Sequence, residues 1–190
     1  MSNKALLVMD VQQGIIANLG DKADQYVARV NQAVNAARHA GIPVFFVVVR
    51  FRKDYLEVSP NNKFFGFVRE RSGANSMEET SPATQPVIQP QDNEPVIAKK
   101  RVSAFAGSDL EMILNAQGIN ELILCGVSTS GVVLSTLRYA SDKDYQLTVL
   151  SDCCADQDEE VHRVLTEKIF PRQADVMTAA EWEQKLNQQA

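Results

Sequence analysis

Continuous apolar runs recur along the chain, and they predict the strands of a sheet. They read "ALLVM", "PVFFVVV", "PVIA", "ELILC" and "QLTVL", and a shorter run, "ADVMT", follows near the C-terminus. Most of these runs show no alternation of apolar and polar positions, which is typical of strands buried on both faces of a parallel sheet. We therefore expect a central, mainly parallel sheet with helices between its strands.

Positions with helical spacing lie between several of these runs. Asp158 precedes one such stretch, and Ser108 with Glu111 forms a capping-box pair ahead of "MILNAQG". The alternation of strands and helices predicts a doubly wound α/β fold, and we expect residues 1–190 to form a single domain. The predicted buried stripes are Tyr26, Val30, Ala33, Val34 and Ala37 in the first long helix, Val133, Leu137 and Ala140 after the fourth strand, and Val161, Val164, Leu165 and Ile169 after the fifth.

One stretch, from Phe51 to Glu94, interrupts this alternation. It is rich in Pro, Asn, Ser and Gln, and its main apolar cluster is "NNKFFGFV". A long irregular insert in a compact domain is usually functional or an assembly surface, and an exposed apolar cluster usually marks a contact. We expect a homo-oligomer in which residues 51–94 pack on a neighbour and help to close a pocket.

Charge and hydropathy exclude two classes of partner. The formal net charge is −5, and the basic residues are scattered apart from the short patches "RFRK" and "KKR". A nucleic-acid-binding protein usually concentrates its basic residues on one face, so we expect no nucleic acid. No apolar run approaches the length of a membrane span, and no leader-like pattern precedes the first run. The expected partner is a small molecule, and the expected location is the cytoplasm.

Cysteine and histidine are too few and too far apart for a metal or disulfide framework. The cysteines are Cys125, Cys153 and Cys154, an odd number with two adjacent. We interpret all three as buried core thiols. The two histidines, His39 and His162, lie far apart within helical patterns, where we expect them on helix surfaces. A zinc site is therefore not expected.

Three strand ends carry residues that could form a site. Asp10 follows the first run, Lys99 and Lys100 follow the third, and "CGVSTSGVV" follows the fourth. Ligands of open α/β sheets bind at the carboxyl ends of the strands, where an acid, a base and a turn rich in N–H groups would converge. The structural alternatives are a helix cap for Asp10, a solvated lysine, and a turn capped by Ser128 or Thr129.

Four segments together resemble the isochorismatase-like hydrolase superfamily in order and spacing. They are "ALLVMDVQ", "VIAKKRVSAFAGSDLE", "LILCGVSTSGVVLSTLRYASDKDY" and "LTVLSDCCAD". The superfamily includes isochorismatases, nicotinamidases and N-carbamoyl amidohydrolases, and the resemblance extends from Ala5 to about Thr178. It implies a three-layer α/β/α sandwich with a six-stranded parallel sheet in the order 3-2-1-4-5-6.

The resemblance also implies site residues. Cysteine-type members of this superfamily use an Asp–Lys–Cys triad, whose Asp and Lys correspond to Asp10 and Lys99. The segment "GVST" resembles the family segment "GVAT", which places a non-proline cis peptide and the oxyanion hole at Val127 and Ser128. The family cysteine falls at Val132, so the nucleophile position holds a valine. Isochorismatases that also lack this cysteine cleave a vinyl ether by proton donation and water attack.

These observations lead to a functional hypothesis with one alternative. We expect a small-molecule hydrolase of the isochorismatase-like type that cleaves a C–N amide or vinyl ether bond. Asp10 and Lys99 would assist direct attack by water, with no cofactor and no metal. The alternative is a non-catalytic binding or assembly member of the family, since the nucleophile position is replaced.

Four further residues are candidates for substrate binding. Arg50, together with Arg52, could bind a substrate carboxylate by charge-assisted hydrogen bonds; the alternative is that both are solvated or paired with Asp54 or Glu57. Phe105 could form a wall of the pocket or pack in the core. The other two candidates are Gln12 and Thr129.

Overall fold

The structure, a computed structural model, describes residues 3–71, 73 and 76–188. The strands are β1 (Lys4–Met9), β2 (Val44–Val49), β3 (Val96–Lys99), β4 (Glu121–Val127), β5 (Gln146–Ala155) and β6 (Asp175–Met177). The helices are α1 (Gln13–Ile16), α2 (Ala23–His39), α3 (Lys63–Arg71), α4 (Leu110–Ala116), α5 (Leu134–Ser141), α6 (Glu159–Val164) and α7 (Ala179–Asn187).

The six strands form one parallel sheet in the order β3-β2-β1-β4-β5-β6. This is the predicted order, and each apolar run named above contributes a strand. The six residues of β2 are all buried, and five of the six in β1 are buried. The continuous apolar runs are explained by this burial, because both faces of the central strands are covered.

Helices cover both faces of the sheet, which confirms the three-layer sandwich. Alternate residues of β1 point to opposite faces, so Leu7 joins one core cluster and Leu6 joins the other. The first cluster contains Leu114 of α4 and Leu137 of α5, and the second contains Val30 of α2 and Trp182 of α7, both fully or almost fully buried.

Strand β5 is longer than its sequence pattern predicts. The apolar run ends at Leu150, but the strand continues to Ala155 and includes Cys153 and Cys154. The register with β4 shifts in this part of the sheet, since Leu124 pairs with Val149 whereas Gly126 pairs with Cys154. The two cysteines therefore lie within the sheet and not after it.

The predicted capping box before α4 is wrong. The helix begins at Leu110, its N-cap residue Asp109 makes no side-chain cap, and Ser108 Oγ only accepts a long hydrogen bond from Leu110 N at 3.4 Å. The Ser108 hydroxyl donates to Ala104 O at 2.6 Å. Glu111 instead contacts the neighbouring helix, where it accepts a hydrogen bond from Tyr139 at 2.9 Å and pairs with Lys143 at 3.0 Å. A tertiary contact has replaced the local one.

The insert between β2 and β3 has its own small core. Phe51, Tyr55 and Phe65 are buried together there with Val49, Val58 and Met77. The opposite side of α3 is apolar but open, since Phe64 is 59% and Phe67 is 54% exposed. Within the described part of the chain, no helix is long and apolar enough to cross a membrane.

Candidate active site

The candidate residues lie at the carboxyl ends of four adjacent strands. Asp10 follows β1, Arg50 follows β2, Lys99 ends β3, and the Val127–Ser128 peptide bond follows the end of β4. The parallel arrangement brings these ends to one edge of the sheet. The register pairs Met9 with Gly126 and Val49 with Lys99, so the chain segments that carry these groups are neighbours.

Asp10 and Lys99 form a buried ion pair. Their Oδ2 and Nζ atoms are 2.9 Å apart, and the residues are 6% and 1% exposed. The Lys99 ammonium also donates to Arg101 O at 2.9 Å and to Val102 O at 3.1 Å. An ammonium has three N–H donors, so the pair with Asp10 and the two carbonyls use all of them. Lys99 is thus held in place by the loop that follows β3.

One oxygen of the Asp10 carboxylate is left without a partner. Oδ1 is buried and forms no hydrogen bond of normal geometry with a described residue; the Val49 N–H, which helps to lower the pKa of Asp10, donates to Gln12 Oε1 at 2.8 Å. Burial raises the pKa of Asp10, and the neighbouring Lys99 ammonium opposes that rise. The residue also has a positive φ of 56°, which Asp tolerates better than most residues do. The result is a carboxyl group that can exchange a proton through Oδ1 while Oδ2 stays on the ammonium.

The turn after β4 contains a cis peptide bond between Val127 and Ser128. Gly126 precedes it, and a Cβ at that position would lie 2.3 Å from Met9 O, so only glycine fits there. Residues Thr129–Val133 then form a π-helical turn that continues into α5. The close approach of Gly126 to Met9 places this turn directly beside the segment that carries Asp10.

The position expected for the family nucleophile is filled by a buried valine. Val132 is 2% exposed and packs in the core cluster beneath α5. The three cysteines are buried as well, and Cys125 donates weakly to Leu7 O at 3.5 Å. Burial raises the pKa of all three thiols, that of Cys154 to about 12. They are therefore protonated at neutral pH and poor nucleophiles.

A contact that the sequence did not predict joins His162 to this turn. Its Nδ1 lies 2.8 Å from the Oγ1 of Thr129, which is fully buried. The expectation of a helix-surface residue holds for His39, which is exposed, but is wrong for His162, which is half-buried. Of the predicted stripe, Leu165 is buried and Ile169 packs against the first core cluster, but Val161 is exposed, and Thr166, which was not predicted, is buried. His162 lies three and four residues before Leu165 and Thr166, so the three share one helical face, and this spacing was the sequence signal that His162 is partly buried.

Two of the proposed substrate-binding residues have structural partners. Gln12 is fully buried, donates to Val49 O and Thr84 O at 3.2 and 2.9 Å, and accepts from Val49 N at 2.8 Å. Its amide thereby ties β1 and β2 to the insert. Phe105 is 7% exposed, and its ring stacks on that of Tyr139 with centroids 4.8 Å apart. The hydrogen bonds of Gln12 and the ring contact of Phe105 both favour structural roles over substrate binding.

Arg50 has weaker partners than Arg52. Arg52 forms an ion pair with Glu57 at 2.7 Å. Arg50 Nη2 reaches Thr84 O and the Gln85 side chain only at 3.4 Å each, and its Nε is buried without a partner. Burial lowers the pKa of Arg50, and Glu79 partly opposes this. The guanidinium of Arg50 therefore keeps donor capacity at the same sheet edge as Asp10.

The structure places no cluster of metal-ligating side chains among the residues it describes. Between residues 3 and 188, leaving aside 72, 74 and 75, no group of three or more His, Cys, Asp or Glu side chains is placed to hold a metal ion. The Asp10 carboxylate of the site is instead paired with the Lys99 ammonium.

A cis-peptide turn beside a buried carboxylate–ammonium pair, on a sheet of this order, defines an isochorismatase-like hydrolase. Residues 4–181 match the family described as "Isochorismatase domain", so the chain belongs to that family. An uncharacterized isochorismatase family protein, YecD of Escherichia coli O157:H7, is 33% identical over 179 residues, which cover 93% of each chain.

Two further similarities are informative. The maleamate amidohydrolase of Pseudomonas putida is 28% identical over 188 residues, which cover 96% of this chain and 86% of that enzyme. A solved structure described as a cysteine hydrolase from Pseudomonas syringae pv. phaseolicola superposes with a TM-score of 0.88, covering 99% of this chain and 95% of that one. At 21% identity, this second similarity concerns the fold.

Proposed function

We propose that the protein is a small-molecule hydrolase in which Asp10 and Lys99 assist direct attack of water, without a cysteine nucleophile. The observation that carries this proposal is the buried Asp10–Lys99 pair, whose remaining carboxylate oxygen, Oδ1, has no partner. A buried acid with an unused basic oxygen is costly to maintain unless it handles protons.

Asp10 and Lys99 have different roles in this proposal. Asp10 Oδ1 accepts a proton from the attacking water and returns it to the leaving group. Lys99 has all three N–H donors engaged, so it holds the carboxylate in position and stabilises its ionised form. The cis peptide at Val127–Ser128 belongs to the turn whose N–H groups stabilise the oxyanion.

Two observations argue against a covalent thiol intermediate: the residue at the family nucleophile position, and the protonation state of the three cysteines. Val132 occupies the place at which the family resemblance puts the cysteine, and its side chain cannot form a thioester. Cys125, Cys153 and Cys154 are buried with raised pKa values. Water is therefore the proposed nucleophile.

The proposed substrate is a small carboxylate with an amide C–N bond. Arg50, with a buried and unpartnered Nε at the same sheet edge, would bind the carboxylate by a charge-assisted hydrogen bond. The relative from Pseudomonas putida is a maleamate amidohydrolase, and maleamate carries both a carboxylate and an amide. Water would attack the amide carbon, the C–N bond would break, and the products would be a dicarboxylate and ammonia.

The proposed enzyme is a homo-oligomer. Phe64 and Phe67 expose an apolar face of α3 within the insert, and burying that face against a second copy would remove it from water. The insert also contacts the segment that follows Asp10, because the Gln12 side chain donates to Thr84 O. Assembly through α3 would thus stabilise the insert against the site.

The test is a substrate screen followed by one substitution. Maleamate, N-carbamoyl amines, isochorismate and simple enol ethers are offered to the wild-type protein and to Asp10→Asn. We expect Asp10→Asn to lower turnover of the best substrate by roughly a hundredfold or more, the scale of a lost general acid–base group. Asp144→Asn is the matched control, since Asp144 is exposed and also has a positive φ, of 63°.

Mass spectrometry of protein quenched during turnover distinguishes the mechanisms. We expect no adduct, and a stable acyl group on any residue contradicts water attack. The alternative of a non-catalytic binding protein is favoured by one observation, the 2% exposure of Val132 at the nucleophile position. No turnover of any compound, with tight binding of one of them to both wild type and Asp10→Asn, would support that alternative.

A further inference from the structure

The turn after β4 is held from one side by Asp156, which follows β5, and by His162 of α6. His162 Nδ1 is 2.8 Å from Thr129 Oγ1, and Asp156 Oδ2 accepts both the N–H and the hydroxyl of Ser130, at 2.8 and 2.7 Å. Thr129 and Ser130 directly follow the cis peptide bond. Two consecutive residues of the turn therefore depend on contacts with side chains that lie about thirty residues further along the chain.

The two contacts differ in how they respond to protonation. The Asp156 carboxylate is an acceptor that bonds to a backbone and a hydroxyl donor. The His162 ring can accept from Thr129 only when Nδ1 carries no proton. Thr129 is fully buried, so a reversal of this hydrogen bond would leave its hydroxyl proton in need of another acceptor.

We propose that His162 is a positioning residue, which holds the cis-peptide turn in its working geometry through the Thr129 hydroxyl and releases it when the imidazole is protonated. This rests on the proposed hydrolytic function of the site. The neutral ring carries its proton on Nε2 and accepts from Thr129 at Nδ1. The imidazolium carries a proton on both nitrogens and cannot accept, so the hydrogen bond can persist only in reverse. The buried Thr129 hydroxyl proton has then lost its acceptor, and the turn loses the anchor that the neutral ring provides.

The charged groups around His162 are consistent with a neutral ring. Burial lowers its pKa, and Asp156 is the acidic group that opposes this. On α6, Arg163 is engaged with Glu160 at 2.7 Å and Glu167 at 2.9 Å, and Glu159 pairs with Lys22 from the segment before α2. Asp158 caps the helix by accepting from the backbone of Glu160 and Val161. The π-helical turn of residues 129–133 contributes no titratable side chain.

The first experiment measures the tautomer and the coupling directly, on the full chain and without substrate. The protein has only two histidines, so the ring nitrogens of His162 and His39 are separately assignable by NMR after His39→Asn. We expect the Nε2–H tautomer of His162 at neutral pH. Acid titration of this ring should move the amide resonances of Ser130, Gly131 and Val132 in step with it. An Nδ1–H tautomer, or turn amides that do not follow the ring, overturns the proposal.

The second experiment measures turnover in variants that separate positioning from stability. His162→Leu and Thr129→Val each remove the hydrogen bond, and each should lower kcat roughly tenfold, with the double variant no worse than either alone. His162→Asn offers an acceptor near the Nδ1 position that does not titrate, and it should retain turnover. In that variant, the loss of activity on protonation of His162 should disappear from the pH profile, whereas His39→Asn should leave the profile unchanged.

The possible outcomes separate this inference from the proposed function. If His162→Leu lowers the melting temperature but leaves kcat and the pH profile as in wild type, His162 is only structural and the inference is wrong. If His162→Leu does not fold, Thr129→Val and the NMR titration decide. If no hydrolysis is found or Asp10→Asn is fully active, the proposed function fails, while the NMR coupling still shows whether the turn responds to His162.

Discussion

The Lys99 ammonium reaches the Asp10 carboxylate across the intervening strand β2, and the two charged atoms lie 2.9 Å apart. Lys99 sits at the end of β3 and Asp10 just after β1, so neither β1 nor β3 alone positions the pair. Burial raises the pKa of Asp10, and the ammonium keeps that rise smaller than burial alone would make it. Burial and the ammonium together therefore set the pKa of the Asp10 carboxyl group.

This relationship predicts a shifted pH profile for Lys99→Met. If Asp10 acts as a base, kcat/KM rises as pH passes upward through the pKa of Asp10. Removing the ammonium removes the charge that lowers this pKa, so the rise should move to higher pH. Rate profiles of Lys99→Met and wild type, recorded with the same substrate, provide the measurement.

Lys100→Met is the control for this shift, because Lys100 follows in the chain but contacts Glu57 and Arg50 O instead of Asp10. Its profile should rise at the wild-type pH. A Lys99→Met profile that coincides with wild type, or moves to lower pH, contradicts the assignment of Asp10 as the base.

The buried thiols predict resistance to alkylation. Treatment of the native protein with iodoacetamide should leave turnover largely intact, since Cys125, Cys153 and Cys154 are buried and protonated. A variant with all three cysteines replaced by alanine should also turn over substrate. Rapid inactivation that substrate prevents would identify one of these cysteines as a nucleophile and refute water attack.

Val132→Cys is the positive counterpart to the alkylation experiment. It places a thiol at the position to which the family resemblance assigns the cysteine, and we expect a transient acyl adduct with an amide substrate in the mass spectrum. Val133→Cys, one residue further along the same turn and also buried, should give none. Equal adduct formation in both variants would show that position 132 has no special access to substrate.

Arg50→Gln should weaken the binding of carboxylated substrates selectively. Loss of a charge-assisted hydrogen bond should raise KM for maleamate by roughly tenfold to a hundredfold, with a smaller change in kcat. The uncharged diamide, maleamide, should bind wild type and variant alike. Arg52→Gln is the control, since Arg52 already pairs with Glu57. Equal effects of Arg50→Gln on maleamate and maleamide would exclude carboxylate binding by Arg50.

The exposed face of α3 predicts a change of oligomeric state on substitution. Sedimentation at micromolar concentration should show an oligomer for wild type and a smaller species for the double variant Phe64→Asp, Phe67→Asp. The substitutions would place two charges on the exposed apolar face that the proposed assembly buries. Met112→Asp is the control, as Met112 is 71% exposed on α4, outside the insert. A monomeric wild type would refute the proposed assembly.

The strands, and much of the site, could be predicted from the sequence. Runs such as "PVFFVVV" are local signals, because a strand covered on both faces must be apolar along its length. Asp10 and the pair Lys99 and Lys100 were identifiable because polar residues directly after such runs lie at the carboxyl edge of a parallel sheet, and the family resemblance selected Lys99. Inferences of this kind need only an uninterrupted apolar run and the polar residue that follows it, both of which are visible in a short stretch of sequence.

Only the tertiary structure decided which partners the polar groups take. Ser108 and Glu111 match a capping box locally, but Ser108 bonds to Ala104 and Glu111 to α5 and its C-terminal turn. The pairing of His162 with Thr129 depends on the rotation of α6 about its axis, which the apolar positions of this stretch did not define, since Val161 is exposed and His162 is half-buried. Side chains far apart in sequence are brought within 3 Å by packing, and the free energy of burying a polar group then selects the partner.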